Sequence, residues 1–391
     1  MKKLLVNLQY LTTPALVLLN TYAVAKGGGW VWLGVLLLAA CILADTLVTV
    51  KTTGTGKDKD GNPLGVPAFL FTILYAMYPI FLLQQAVLAW RLYAYATGLA
   101  DSGVTVLGLH LGGATSGWEL VGATLSVGIW QGMGIVFGHE LSHTHGWTFT
   151  LSRWIMALSG SAHFSIAHVY SHHIDLGDES DPATAPRGRS LYAHVVLSHV
   201  GQSAFVRNLE RKRLAESGAG FLGLKDRWIR GYLMSVPTLA LFVWIGGWTG
   251  LATILAVWVI SNFELEVLNY LEHYGLIREP EKPVEPRHSW DNTTLLTSAA
   301  FIQIGLQGDH HVRGETRFWH LEPVGAPNYG WGYYTLLAIA VIPPWWHAFM
   351  RKKLAIWDRD FATPGERAIA EEQNRKANYV YPAAALGAQT L

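Results

Sequence analysis

Apolar runs recur along the chain at lengths suited to a bilayer. Leu11 to Ala25 leads, after the turn-like Lys26-Gly27-Gly28-Gly29, into Trp30 to Val50. Val66 to Trp90, Trp118 to Gly138, Gly231 to Gly247 and Thr249 to Val267 follow. All but the shorter first run are about 17–25 residues, the length that crosses roughly 30 Å of hydrocarbon as helix. The first run lacks a signal-peptide cleavage pattern and reads as a retained span. Period-2 alternation is scarce, so the chain reads as an all-α integral membrane protein with about six transmembrane helices. Residues 1–140 would hold four spans and 141–228 a polar segment. Residues 229–272 would hold two more spans, and 273–391 a second polar or interfacial segment. The two polar segments would form one helical and loop cap.

Basic residues orient this arrangement. Lys2, Lys3, Lys51, Lys57 and Lys59 flank one side, and Arg207, Arg211, Lys212, Arg213, Lys225, Arg227 and Arg230 fall on that same side. The opposite loops, Thr97 to Gly117 and Gly246 to Gly250, carry no Lys or Arg; Lys26 and Arg91 are exceptions. Both termini are thus expected in the cytoplasm, in a multi-pass membrane protein. Trp345 to Lys353 reads as a segment on the inner surface, because Pro343-Pro344 interrupts it. The polar tail after Gly365 reads as peripheral.

Composition sharpens this. Charged residues make up 15% of 391, against about a quarter in soluble domains, and mean hydropathy is +0.23. Seventeen Trp and sixteen Tyr suit two membrane–water interfaces. A net charge of +1 gives no reason to expect nucleic acid. The single Cys41 excludes an internal disulfide and any thiolate-built zinc or iron–sulfur site. No strand–GxGxxG–helix or P-loop pattern occurs, so no flavin or nucleotide site is legible, and no haem site is expected.

Histidines gather in four groups. His139-Glu-Leu-Ser-His143 closes the fourth run, and His168-Val-Tyr-Ser-His172-His173 follows. His273 closes the sixth run, and Gln307-Gly-Asp-His310-His311 comes last. In the topology above, all four lie at one depth on one side. His139 and His143 at i,i+4 share a helical face, as do His168 and His172, so each pair could serve one metal. Adjacent His172 and His173 diverge and could serve two. Eight imidazoles exceed the needs of one four-coordinate ion, so two metals are expected; ligand type alone does not choose which. His110, His194, His199, His288 and His347 read as packed or hydrogen-bonded; His145, His163 and His320 stay open. His139 to His143 also fits HExxH with Glu140 as general base, a reading that leaves six histidines unemployed. A metal-handling membrane protein is a further alternative, though it would spread its ligands along a mid-membrane path.

HELSH, AHVYSHH, NYLEHYGL and QGDHH together resemble the membrane non-haem di-iron hydroxylases, the alkane 1-monooxygenases and the xylene monooxygenase hydroxylase components. Ser180-Asp181-Pro182 through Arg187-Gly188, Thr316-Arg317-Phe318 through Glu322-Pro323, and Asp358 through Arg367 add to it. The tyrosine–glycine box around His273 sets these apart from desaturases of lipid-like substrates, which share the other boxes. The resemblance implies iron ligands at His139, His143, His168, His172, His173, His273, His310 and His311. A ninth family histidine is replaced by Gln307, implying looser coordination at one metal, and Ala167 stands where the family often has Glu.

The implied activity is an O2-dependent monooxygenase: two Fe ions with O2 as co-substrate, hydroxylating a methyl group of an alkyl-aromatic hydrocarbon or an alkane. Electrons would come from a separate flavin/iron–sulfur reductase or a rubredoxin-like carrier, for which Arg207 to Arg213 is a docking candidate. Hydrophobic substrate would enter from membrane lipid. Gly132 and Ile135, on the face ending at His139, could border a slot, which the missing side chains of Gly132 and Gly134 would open. On the sixth run, Glu266 and Asn269 share the His273 face, and Glu266 is expected to accept from a ligand imidazole. Asp309, Glu140 and Gln307 are further metal or supporting candidates, and Asp178, Glu179 and Asp181 lesser ones.

Overall fold

The computed structural model describes residues 2–52, 54–99, 103–106, 109–218 and 223–379. It is helical apart from one hairpin pairing Val104–Val106 with Leu109–Leu111 and isolated bridges. Among the described residues, four helices are long and apolar enough to cross a membrane: Gly28–Leu47, Pro67–Thr97, Gly117–Ser142 and Arg227–His273. The run expected as the first span forms the helix Thr12–Lys26, whose 15 residues reach only about 22 Å. The expected count of six is therefore four by this measure, and the difference lies in that short helix and in how the last one is built.

Arg227–His273 contains both of the last two expected runs in 47 residues. Its helical geometry breaks at Gly247 (φ 55°, ψ −127°), a region open essentially to glycine. The chain doubles back there. Ser235 Oγ donates to the Ala157 carbonyl at 2.8 Å and Trp258 Nε1 to the Leu158 carbonyl at 2.9 Å, whereas a straight helix would hold Ser235 and Trp258 about 34 Å apart. The segment is a helical hairpin whose second arm ends at His273.

That second arm packs most extensively on the helix Gly117–Met133, which begins in a capping box formed by Ser116 and Glu119. Small residues let the backbones approach. A Cβ at Gly128 would lie 2.9 Å from Ile260, and Ser261 Oγ donates to the Gly128 carbonyl at 3.0 Å. At the far end of the bundle, buried Arg91 donates to the carbonyls of Ala25 and Gly112. Lys26 sits over the Trp30 ring at 3.8 Å. The two exceptions to the basic-residue asymmetry are thus occupied in structure.

On the histidine side, Pro343-Pro344 begins a helix rather than interrupting one. The prolines occupy its first turn, where their missing N–H groups cost nothing, and Pro343–Asp360 buries Trp346, Met350, Leu354 and Trp357. The tail is not peripheral through residue 379. Pro364–Lys376 buries Glu366, Ala370 and Asn374 against the cap; residues 380–391 lie outside the described residues.

Gly247→Ala should cost about 1–3 kcal/mol from the strained turn, read as a lower melting temperature of the purified protein. Gly29→Ala, with no atom within 4 Å of the added Cβ and no positive φ, should not.

Candidate metal centre

Each histidine box sits where a helix ends or changes pitch. His139 lies in the last turn of Ile135–Ser142 and His143 caps its end. His168–His172 is a π turn, and His273 is the last residue of the long hairpin. His310 and His311 lie in the short helix Gln307–Val312. These ends converge. The ligand atoms of His139, His143, His168 and His310 all lie within 4.8 Å of one another, as do those of His172, His273 and His311. His173 stands between the groups, its Nε2 3.0 Å from His168 Nε2 and its ring centroid 4.3 Å from that of His311. All eight histidines of the four boxes meet at one locus.

The partition differs from the spacing argument. His168 and His172 were expected to face one metal; they fall in different groups, as do His310 and His311. The cause is the π turn, in which the His173 N–H bonds the His168 carbonyl. That i→i+5 pitch sets His173 beside His168, their Nε2 atoms 3.0 Å apart, and leaves His172 to face His273 and His311, with ring centroids 4.8 Å from each.

Burial first, and then neighbouring imidazoles, push His143, His168, His173 and His311 well below the ordinary histidine range; His310 is pushed down to about 3. Neutral rings are what a metal requires. Several buried nitrogens of these rings have no partner: His168 Nδ1, His172 Nε2, His273 Nε2, His310 Nε2 and both nitrogens of His311. Buried polar atoms are nearly always bonded. Six orphans in one pocket built wholly of imidazole fit a pair of divalent transition-metal ions.

Supporting groups hold the rings. Asp181 Oδ2 accepts from His172 Nδ1 at 2.8 Å and is itself bonded by Thr184 Oγ1 at 2.7 Å, which aims His172 Nε2 inward. The His288 carbonyl lies 3.3 Å from His273 Nδ1. His288 Nε2 in turn meets Glu366 at 2.8 Å, and Glu366 also receives Arg287 and the Thr363 N–H. Asp291, absent from the sequence candidates, accepts the Gly308 N–H at 2.8 Å at the start of the fourth box. No local motif marks Asp291, His288 or Glu366; they act from distant loops and the C-terminal helix.

The remaining candidates are placed as follows. Glu266 does not reach an imidazole: its oxygens take the amides of Gln202 (2.9 Å) and Asn269 (3.0 Å), because it lies two turns below the histidine layer, facing the Leu191–Glu216 helix. Buried Glu140 accepts the Phe318 N–H at 3.3 Å. Asp309 is held by Arg313 and by the Glu322 N–H, outside the imidazole groups. Gln307 is 1% exposed, and its Oε1 has no partner. At the expected slot, the Glu264 carboxylate lies where a Cβ at Gly132 would sit and the Phe81 ring where one at Gly134 would; Gly132 also lines a narrow, mostly apolar cavity with Leu268, Leu271 and Tyr334, and Ile135 packs among Met156, Phe164 and Leu265. His145 is exposed near Glu315, and His163 packs on His199, away from both groups.

Comparison with known proteins places this geometry. The fatty acid desaturase family profile matches residues 116–336, which contain all four boxes. The chain belongs to the membrane di-iron hydroxylases of this family. It is 27% identical over 377 residues to the xylene/toluene monooxygenase hydroxylase component of Pseudomonas putida, covering 95% of this chain and 96% of that protein. It is 26% identical over 381 residues to alkane 1-monooxygenase 1 of Alcanivorax borkumensis (92% and 88%). To alkane 1-monooxygenase 1 of Pseudomonas aeruginosa it is 30% identical over 272 residues (67% and 70%). This hydroxylase is an oxygen-dependent oxidoreductase and a multi-pass membrane protein. Its motifs outside the boxes are structural ties. Arg187 forms a two-pronged pair with Asp358 (2.8 and 2.6 Å) and donates to the Gly275 carbonyl and Asn374. Gly275 takes φ 70°, and its N–H bonds the Ala185 carbonyl at 2.8 Å.

Asp181→Asn should lower bound metal or metal affinity about 10–100-fold by loosening His172, measured by metal analysis of the purified hydroxylase. Burial raises the Glu366 carboxyl, but His288, the Thr363 N–H and Arg287 outweigh it and hold it at about 2, below its usual 4.5. Its contribution to stability is therefore present above pH 4.5 and lost as pH falls toward 2. Glu366→Gln should flatten the acid limb of a stability–pH curve over that window.

Proposed function

We propose that this hydroxylase uses two irons, held by His139, His143, His168, His172, His173, His273, His310 and His311, to insert one oxygen atom of O2 into a methyl C–H bond. The substrate is a toluene- or xylene-like alkyl-aromatic hydrocarbon or an alkane. The overall balance is RH + O2 + 2e⁻ + 2H⁺ → ROH + H2O. The observation that carries the reading is the paired set of buried imidazoles, several with unpartnered nitrogens, two boxes of which close membrane-crossing helices. Iron, when bound, supplies the redox chemistry that cleaving O2 requires and that zinc lacks.

The chain's own residues prepare the locus. Asp181 and the His288 carbonyl fix the tautomer and direction of His172 and His273. Phe164, its ring centroid 5.2 Å from that of His168, and Ile135 wall the site with apolar surface that excludes water. Gln307, whose Oε1 is buried and unpartnered, would offer a neutral amide oxygen, a weaker donor than imidazole, where the family carries a ninth histidine.

The substrate reading follows the relatives, one named for xylene and toluene and others for alkanes. This chain lacks a legible redox cofactor site, so electrons come from NADH through a separate reductase or a rubredoxin-like carrier. The basic stretch Arg207 to Arg213 favours the histidine side facing the cytoplasm of a bacterial inner membrane, with both termini there.

Metal analysis and product formation from toluene and octane with a reductase test this reading. About two irons per chain and alcohol products are expected; a single zinc, or no product from either substrate, ends it. His143→Ala should lose iron and turnover together. Gln307→His should leave metal loading intact or raise it, and a collapse would assign Gln307 another task.

A further inference from the structure

A cleft of about 650 Å³ opens on the outer face of the helical hairpin. Its walls come from both arms, Val236 and Leu239 on the first, Leu255 and Val259 on the second. Three of these are well exposed: Val236 46%, Leu255 42%, Val259 69%. Its roof is the helix Leu191–Glu216, which crosses the ends of the arms: Gln202 bonds Glu266 of the second arm, and Ser203 bonds Tyr232 of the first. The cleft therefore runs from the layer where the hairpin meets the cap down into the bilayer-crossing segment. From Tyr232 to Leu239 it extends about 10 Å.

A second pocket of about 400 Å³ continues it on the cap side, sharing His199, Val200 and Tyr232. Its character is opposite. Arg207 and Arg211, at i,i+4 on one helical face, line it with Asn208 and Trp228, and Arg207 lies over the Trp228 ring at 5.6 Å. Glu210, on the same helix, is buried and held by Arg213 and Arg227. An apolar cleft at membrane depth, joined at its polar end to two guanidinium groups, has the two-part chemistry of an anionic lipid.

Hydrocarbon substrate fits this feature less well. The cleft does not reach the metal centre, because His163 packs on His199 (4.9 Å) behind it and Phe164 then stacks on His168 (5.2 Å). A plain hydrocarbon also carries no charge to match the basic pocket.

We propose that the cleft and the basic pocket together bind one anionic phospholipid of phosphatidylglycerol type, its phosphate on Arg207 and Arg211 and an acyl chain between the hairpin arms. The test uses the full-length protein, delipidated in a neutral detergent, with lipid retention followed by native mass spectrometry and stabilisation by thermal melting. Saturable binding of phosphatidylglycerol, at least tenfold tighter than phosphatidylcholine, is expected. Arg207→Ala combined with Arg211→Ala should erase that preference. Val259→Trp, which fills the cleft from a lipid-facing position, should weaken phosphatidylglycerol about tenfold while both arginines remain, and it decides the matter if the double variant does not fold. Glycerol phosphate alone should not bind measurably. Equal affinity for the two lipids, an unchanged preference in the double variant, or glycerol phosphate binding as tightly as the lipid would overturn the proposal. So would displacement of the lipid by octane with loss of the arginine dependence.

Discussion

Eight imidazoles share one buried pocket, and several of their nitrogens point at nothing the chain supplies. Polar atoms withdrawn from water in this way are costly unless something bonds them, so the surroundings must hold the rings in place for ions to complete. Much of the architecture answers that demand. Helix ends deliver the rings in pairs, Asp181 and the His288 carbonyl aim two of them, and the Asp291–Gly308 contact sets the start of the last box. The membrane-crossing helices bring two of the four boxes to a common level.

The π turn at His168–His172 decides how the rings are shared. In a regular helix His173 would point well away from His168; the wider pitch places them side by side. One extra residue in one turn thus converts a run of three histidines into a hinge between two ligand groups. Gln307 stands at the start of the last box, buried and with its Oε1 unpartnered, an amide where the neighbouring boxes carry imidazole.

The membrane class, the four boxes and the convergence of their histidines were legible in the sequence, because apolar run length and His spacing are local signals. The reversal at Gly247 falls in the loop expected between the last two runs. Partition of the rings was not legible, since helical periodicity assumes the α pitch that residues 168–172 abandon. The surroundings of Gly132 and Gly134 were not legible for a related reason. Glycine spacing marks where a helix can be approached, but not whether a carboxylate (Glu264) or a ring (Phe81) does the approaching. Glu266 was placed on the correct face of its helix but at the wrong height to meet an imidazole. Pro343-Pro344 carried two meanings, and the initiating one applied. Glu366 and Asp291 were invisible because their partners lie tens of residues away.

The tie centred on Arg187 joins the turn after the second box to Gly275, Asp358 and Asn374. Chain segments made early and late in synthesis are therefore stitched through a single guanidinium. Asp181 and Thr184 brace the second box from close by in sequence, whereas the partners of Arg187 are made much later. Because Asp358 and Asn374 follow Arg187 by 171 and 187 residues, the turn after the second box gains these partners only after the later cap segments have been made.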